Sequence, residues 1–178
     1  MNPTQKQPTT PAALADLTPA DTLRCAARYL ELRGWTQGDP YELAENPAFP
    51  PACTLGAIAM AVYGRPVAIE DRYYGNGAAA DLWDTTAICL ADFLRQGGHS
   101  IEPHFDSPVS DSYTAIVADW NDDASQTLAD VLDILRACAD DYDWTHATED
   151  QLETYAEHEY SQERLPTRAG FLVWRAAQ

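Results

Sequence analysis

The sequence predicts a mainly α-helical protein, about five helices around a central apolar helix over residues 52–63, with at most a small β element. Three observations predict it. Residues 52–63 carry no charge on any face, the mark of a helix enclosed by its neighbours. Three capping boxes, Thr18 with Asp21, Thr127 with Asp130 and Thr148 with Gln151, each precede an apolar repeat of helical period. The chain has 178 residues, 46% of them hydrophobic, with five tryptophans and nine tyrosines, enough to bury a core without disulfides or metal.

Taken in order, residues 1–17 carry Pro3, Pro8 and Pro11 among Thr, Gln and Ala, offer no apolar face and are expected to form a disordered tail. Residues 18–178 are expected to form a single globular domain with an acidic C-terminal third. Thr18 and Pro19 open the first helix, which buries Leu23, Ala27 and Leu30 and stops at Gly34. Residues 35–51 form a loop anchored by Tyr41 and Phe49. The apolar helix follows, with Gly56 placed for close approach of another backbone and Gly64 and Pro66 ending it.

Residues 67–74 form a short strand or a loop, and Asn76 with Gly77 a turn. A helix over residues 78–96 then buries Ala79, Leu82, Thr86, Leu90 and Phe93, and Gly97 with Gly98 closes it. An extended piece is expected over residues 99–105. The second box opens a helix burying Val131, Leu132, Leu135 and Ala139. The third opens one running to about Glu163, with Leu152, Tyr155 and Ala156 inward. Residues 171–175 are too short an apolar run for a helix and read as a closing strand or docked tail.

Charge narrows the function classes. The formal net charge is −17, and fourteen of the 28 acidic residues lie between Asp119 and Glu163, where Arg136 is the only basic residue. Such a surface repels nucleic acid and anionic lipid and favours basic partners. No basic segment followed by an apolar one opens the chain, and no apolar run approaches the roughly 18 residues of a membrane span, so a cytoplasmic protein is expected. Cys25, Cys53, Cys89 and Cys138 have no CxxC spacing, and each sits in an apolar helical pattern. They read as buried thiols of a reducing compartment.

Few motifs carry chemistry. Cys53 falls in the first turn of the apolar helix, where the positive end of the helix dipole makes a thiol more acidic and more nucleophilic. It is the candidate catalytic residue, against the plainer reading of a small core hydrophobe. Asn121 and Asp122 suit orienting a base, and suit a turn anchored by Trp120 better. The run Asp141, Asp143, Thr145 starts like a calcium loop, but His146 stands where glycine is needed and Leu152 where a bidentate glutamate is needed. His99, Glu102, His104 and Asp106 match no metal spacing, and the P-loop, GxGxxG and GxSxG motifs are absent, so no metal and no cofactor are expected.

Three stretches, residues 27–38 from Ala27 to Gly38, residues 53–58 from Cys53 to Ile58, and Trp120, Asn121 and Asp122 with residues 127–132, together resemble an uncharacterised family of small helical proteins from GC-rich Gram-positive bacteria and their phages. The resemblance spans roughly residues 18–140. It implies a shared helical fold and a phage or mobile-element setting, and brings no catalytic residue.

The acidic third remains as a binding surface. Glu149, Glu153 and Glu157 recur at i, i+4, i+8 on one helix face, with Asp140, Asp141 and Asp143 upstream. The sequence therefore points to a non-enzymatic accessory or regulatory protein that docks a basic protein surface with this face and mimics nucleic acid. The other reading is a small cysteine-dependent enzyme centred on Cys53.

Overall fold

The computed structural model describes residues 17–42, 48–68, 77–97 and 112–178. Their regular structure is seven helices: α1 (Pro19–Arg33), α2 (Thr54–Tyr63), α3 (Ala78–Gln96), α4 (Tyr113–Asn121), α5 (Leu128–Thr145), α6 (Glu149–Ser161) and α7 (Arg168–Arg175). Of the tail expected over residues 1–17 all but Leu17, of the strand or loop expected over 67–74 all but residues 67 and 68, Asn76 of the expected turn, and the whole extended piece over 99–105 lie outside the described residues.

Local sequence explains where the helices start. All three capping boxes form, with the hydroxyls of Thr18, Thr127 and Thr148 accepting from the backbone N–H groups of Asp21, Asp130 and Gln151. Gly34 ends α1 at φ +100°, and Gly64 ends α2 in the left-handed region at φ +66°.

The helix count differs from the expected five because residues 113–121 and 168–175 are helical as well. In α7 the hydroxyl of Thr167 caps Gly170 N–H, and the apolar run divides by helical rather than strand spacing. Phe171 is fully buried and Trp174 half-buried, while Val173, which a strand would place beside Phe171, is exposed. Among the described residues β structure is limited to two isolated bridges, Trp35 to Ala52 and Tyr41 to Ala52.

One core joins α1 to α5. α2 buries every residue from Thr54 to Met60, plus Val62, and packs against α1, α3 and α4. α1 buries Leu23, Ala27 and Leu30 between α2 and α5. Arg24 closes the α1–α5 seam with ion pairs to Asp140 at 2.8 Å and Asp143 at 2.7 Å, and Arg136 pairs with Glu31 at its other end. α7 lies between α5 and α6. Its Phe171 meets Trp144 and Tyr155 edge-on, each at 5.7 Å between ring centroids.

Gly56 carries the close approach expected of it. A methyl group there would overlap the carbonyl oxygen of Pro40 and press on Tyr41 and Ala52. That oxygen accepts from Cys53 N–H at 3.0 Å, so it cannot retreat without breaking the bond that seats the loop on α2. Gly→Ala inside a helix ordinarily gains up to about 1 kcal/mol, but overpacking costs about 1 to 3 kcal/mol. Because the overlap is with a backbone oxygen that is itself hydrogen-bonded, the cost falls toward the top of that range, and we expect Gly56→Ala to lower stability by about 2 kcal/mol on balance in urea denaturation. An unchanged or raised midpoint would show that the loop yields.

Candidate functional site

The six candidate carboxylates, Asp140, Asp141, Asp143, Glu149, Glu153 and Glu157, separate into two groups. Asp140 and Asp143 are held by Arg24, and Asp141 by Arg168 at 2.9 Å. These three therefore stitch α5 to α1 and α7. Glu149, Glu153 and Glu157 are exposed along α6 and make no ion pair among the described residues. Beside them at the same helical spacing run Leu152, Ala156 and Tyr160, with Leu152 37% and Tyr160 61% exposed. The inward placement expected of Leu152 is thus corrected. The helix turns Tyr155 and Glu159 inward instead, because Tyr155 packs on Phe171 and Trp174, and Glu159 receives a bidentate Arg164 at 2.7 and 2.8 Å. That guanidinium holds the Glu159 carboxyl below its ordinary range.

Cys53 is the N-cap of α2, one position before the first turn, and is buried. Its sulfur accepts from Gly56 N–H at 3.4 Å, doing for the helix end what a serine hydroxyl does elsewhere. Its neighbours at that end are structural. Asn121 is 1% exposed, and its Oδ1 accepts from Trp35 Nε1 at 2.8 Å, Thr54 N–H at 3.0 Å and the Thr54 hydroxyl at 2.7 Å. Its amide donates to Asp122 Oδ1 at 2.7 Å and to the Thr36 carbonyl at 3.3 Å. Asp122 accepts from Gly38 N–H at 2.9 Å. Every polar atom of the Asn121 side chain is thus used in tying the loop after α1 to α2, and Trp120 beside it is buried. His99 and His104 lie outside the described residues.

Two cysteines meet between α3 and α5. Cys89 and Cys138 stand with their sulfurs 3.7 Å apart, and Cys138 Sγ lies 3.8 Å from the Cys89 carbonyl oxygen. Cys138 is 1% exposed; Cys89 is partly exposed and opens on a cavity of about 330 Å³. Ile88, Phe93, Tyr142 and His146 form part of its wall, the last two stacked ring on ring at 3.9 Å. The contact between the two sulfurs lowers the Cys89 pKa, and the same contact, with burial, raises that of Cys138. The burial expected of all four cysteines is corrected at Cys25, which is exposed on the outer face of α1 two residues past buried Leu23, and at Cys89.

Among the described residues no group of three or more His, Cys, Asp or Glu side chains is placed to hold a metal ion. Asp141, Asp143 and Thr145 lie in the last turns of α5, whose backbone is helical where a calcium loop would fold around the ion. No described helix is long and apolar enough to cross a membrane.

The sequence pattern of DUF6197, a family of unknown function, matches residues 14–141. The chain belongs to this family. No curated protein and no solved structure matches it. The DUF6197 region takes in the Asn121 hub, Cys53 and the Cys89–Cys138 pair, and ends inside α5. The three α6 glutamates fall beyond it, on a helical hairpin of α6 and α7 that follows the DUF6197 core. The meeting of Cys89 and Cys138 escaped the sequence reading, since thiols 49 positions apart on separate helices leave no spacing signal.

Proposed function

We propose that the protein is a non-enzymatic, cytoplasmic accessory protein that docks a basic protein surface with the outer face of α6. The observation that supports this most directly is the division of the carboxylates. Asp140, Asp141 and Asp143 near the end of α5 are neutralised by Arg24 and Arg168, whereas Glu149, Glu153 and Glu157 stand exposed without a cation beside an exposed Leu152 and Tyr160. Like charges at i, i+4 cost about 0.2 to 0.5 kcal/mol per pair, a cost that a partner's arginines or lysines remove. The apolar row gives such a partner something to bury once charge has brought it in. The phage or mobile-element setting implied by the resemblance of the core motifs belongs to the same proposal.

The test compares two variants of equal charge for binding to a partner captured from the native host. Glu149→Gln, Glu153→Gln and Glu157→Gln together remove the stripe. Asp39→Asn, Asp119→Asn and Asp133→Asn together remove as much charge from exposed positions elsewhere. We expect the α6 variant to bind about tenfold more weakly at low salt, with the control near the parent, and the difference to shrink as the Debye length falls below about 8 Å. The α6 variant should also be as stable as the parent or slightly more so. Equal binding by both variants would reduce the stripe to a solvated face.

A further inference from the structure

We propose that the cleft between α3 and α5 is a redox site, in which Cys89 is oxidised by a small hydroperoxide and Cys138 resolves the product into an intramolecular disulfide. Geometry carries the argument. Two sulfurs on separate helices lie 3.7 Å apart, so forming a bond of about 2.05 Å asks for a closure of about 1.7 Å, within the reach of side-chain rotation and a slight helix shift. Exposure divides the roles. Both cysteines line the cavity, but Cys89 is the more exposed and meets the oxidant, whereas Cys138, 1% exposed, is placed to attack the oxidised Cys89. A cavity of about 330 Å³ with Ile88, Phe93 and Tyr142 in its wall admits a compact neutral molecule. Asp92 and Asp141 also line it, each paired with an arginine, Arg95 and Arg168, so the mouth offers no net positive charge to draw in an anionic oxidant.

The chemistry balances without a cofactor. The Cys89 thiolate attacks one oxygen of the hydroperoxide, breaking the O–O bond, and leaves as a sulfenic acid with release of hydroxide or alkoxide. The Cys138 sulfur, giving up its proton, then attacks the Cys89 sulfur and displaces water. Two thiols are oxidised by two electrons, and the peroxide is reduced to water, or to water and an alcohol. A thiol reductant reverses the step by attack on Cys89, the sulfur that solvent can reach. The hydrogen bond between the two sulfurs favours ionisation of Cys89 over Cys138, the order the scheme needs. This site does not depend on the α6 docking face, and the experiment below reads neither the glutamates nor a partner.

Full-length protein carrying Cys25→Ser, which removes the exposed thiol, is treated with hydrogen peroxide in modest excess and digested without reduction. We expect the intact mass to fall by two hydrogens, a single peptide pair joining Cys89 to Cys138, and full reversal by dithiothreitol. The oxidised form should melt about 5 to 10 °C higher, because the bridge joins positions far apart in the chain. In Cys138→Ser the sulfenic acid should persist on Cys89 and be trapped by dimedone, and in Cys89→Ser neither product should form. The proposal is overturned if Cys89 and Cys138 stay reduced while the fold is intact by circular dichroism. It is equally overturned if Cys89 passes to sulfinic acid with Cys138 untouched, or if Cys53 is the thiol that reacts.

Discussion

Asn121→Ala is expected to destabilise the protein by about 3 to 5 kcal/mol, because it leaves buried donors without an acceptor rather than removing one bond. Thr54 is fully buried, and both its N–H and its hydroxyl end on Asn121 Oδ1, as does the indole N–H of the half-buried Trp35. Each orphaned buried donor costs about 1 to 3 kcal/mol, whereas deleting donor and acceptor together costs far less. Thr54→Val combined with Asn121→Leu should therefore lose less than the sum of the two single changes. Chemical denaturation measures both. A loss under about 1 kcal/mol for Asn121→Ala would mean that water satisfies the abandoned groups and that the hub does not hold the loop.

Leu55→Ala follows in size, with an expected cost of about 2 to 5 kcal/mol from lost transfer energy and an unfilled cavity. Leu55 is 2% exposed in a helix that also buries Ala57 and Ile58, and its carbonyl lies 3.5 Å from the Trp83 indole N–H across the contact with α3. Against a total stability of about 5 to 15 kcal/mol this removes a large share, so the variant should melt far below the parent. Near-parental stability would show that α2 relaxes into the hole.

Sequence reasoning reached the parts of this fold that depend on local chemistry. A threonine three positions before an aspartate or glutamine caps a helix when an apolar repeat of helical period follows, so α1, α5 and α6 start where the boxes stand. Gly56 was legible for the same reason, a residue without a side chain in the most apolar helix. α7 was not, because four apolar residues in a row fit either period and only Phe171, held among Trp144, Tyr155 and Trp174, decides between them. Long-range pairing was likewise hidden. Nothing near Asp140 or Asp143 in the chain announces Arg24, yet that arginine turns two carboxylates of an apparent acidic patch into part of a seam. The same distance concealed the two thiols between α3 and α5.

The way α6 is attached has a consequence for how the molecule comes apart. Its tie to the rest runs through α7, by the rings around Phe171, the Tyr155 hydroxyl bonded to Thr167 N–H and C=O at 3.1 Å each, and Arg168 on Asp141. Those contacts are few beside the continuous core of α1 to α5. The hairpin is therefore expected to open at lower free-energy cost than the core, which hydrogen exchange would show as weaker protection of α6 and α7 than of α2. Two parts of a chain joined by so few contacts can diverge in sequence at different rates.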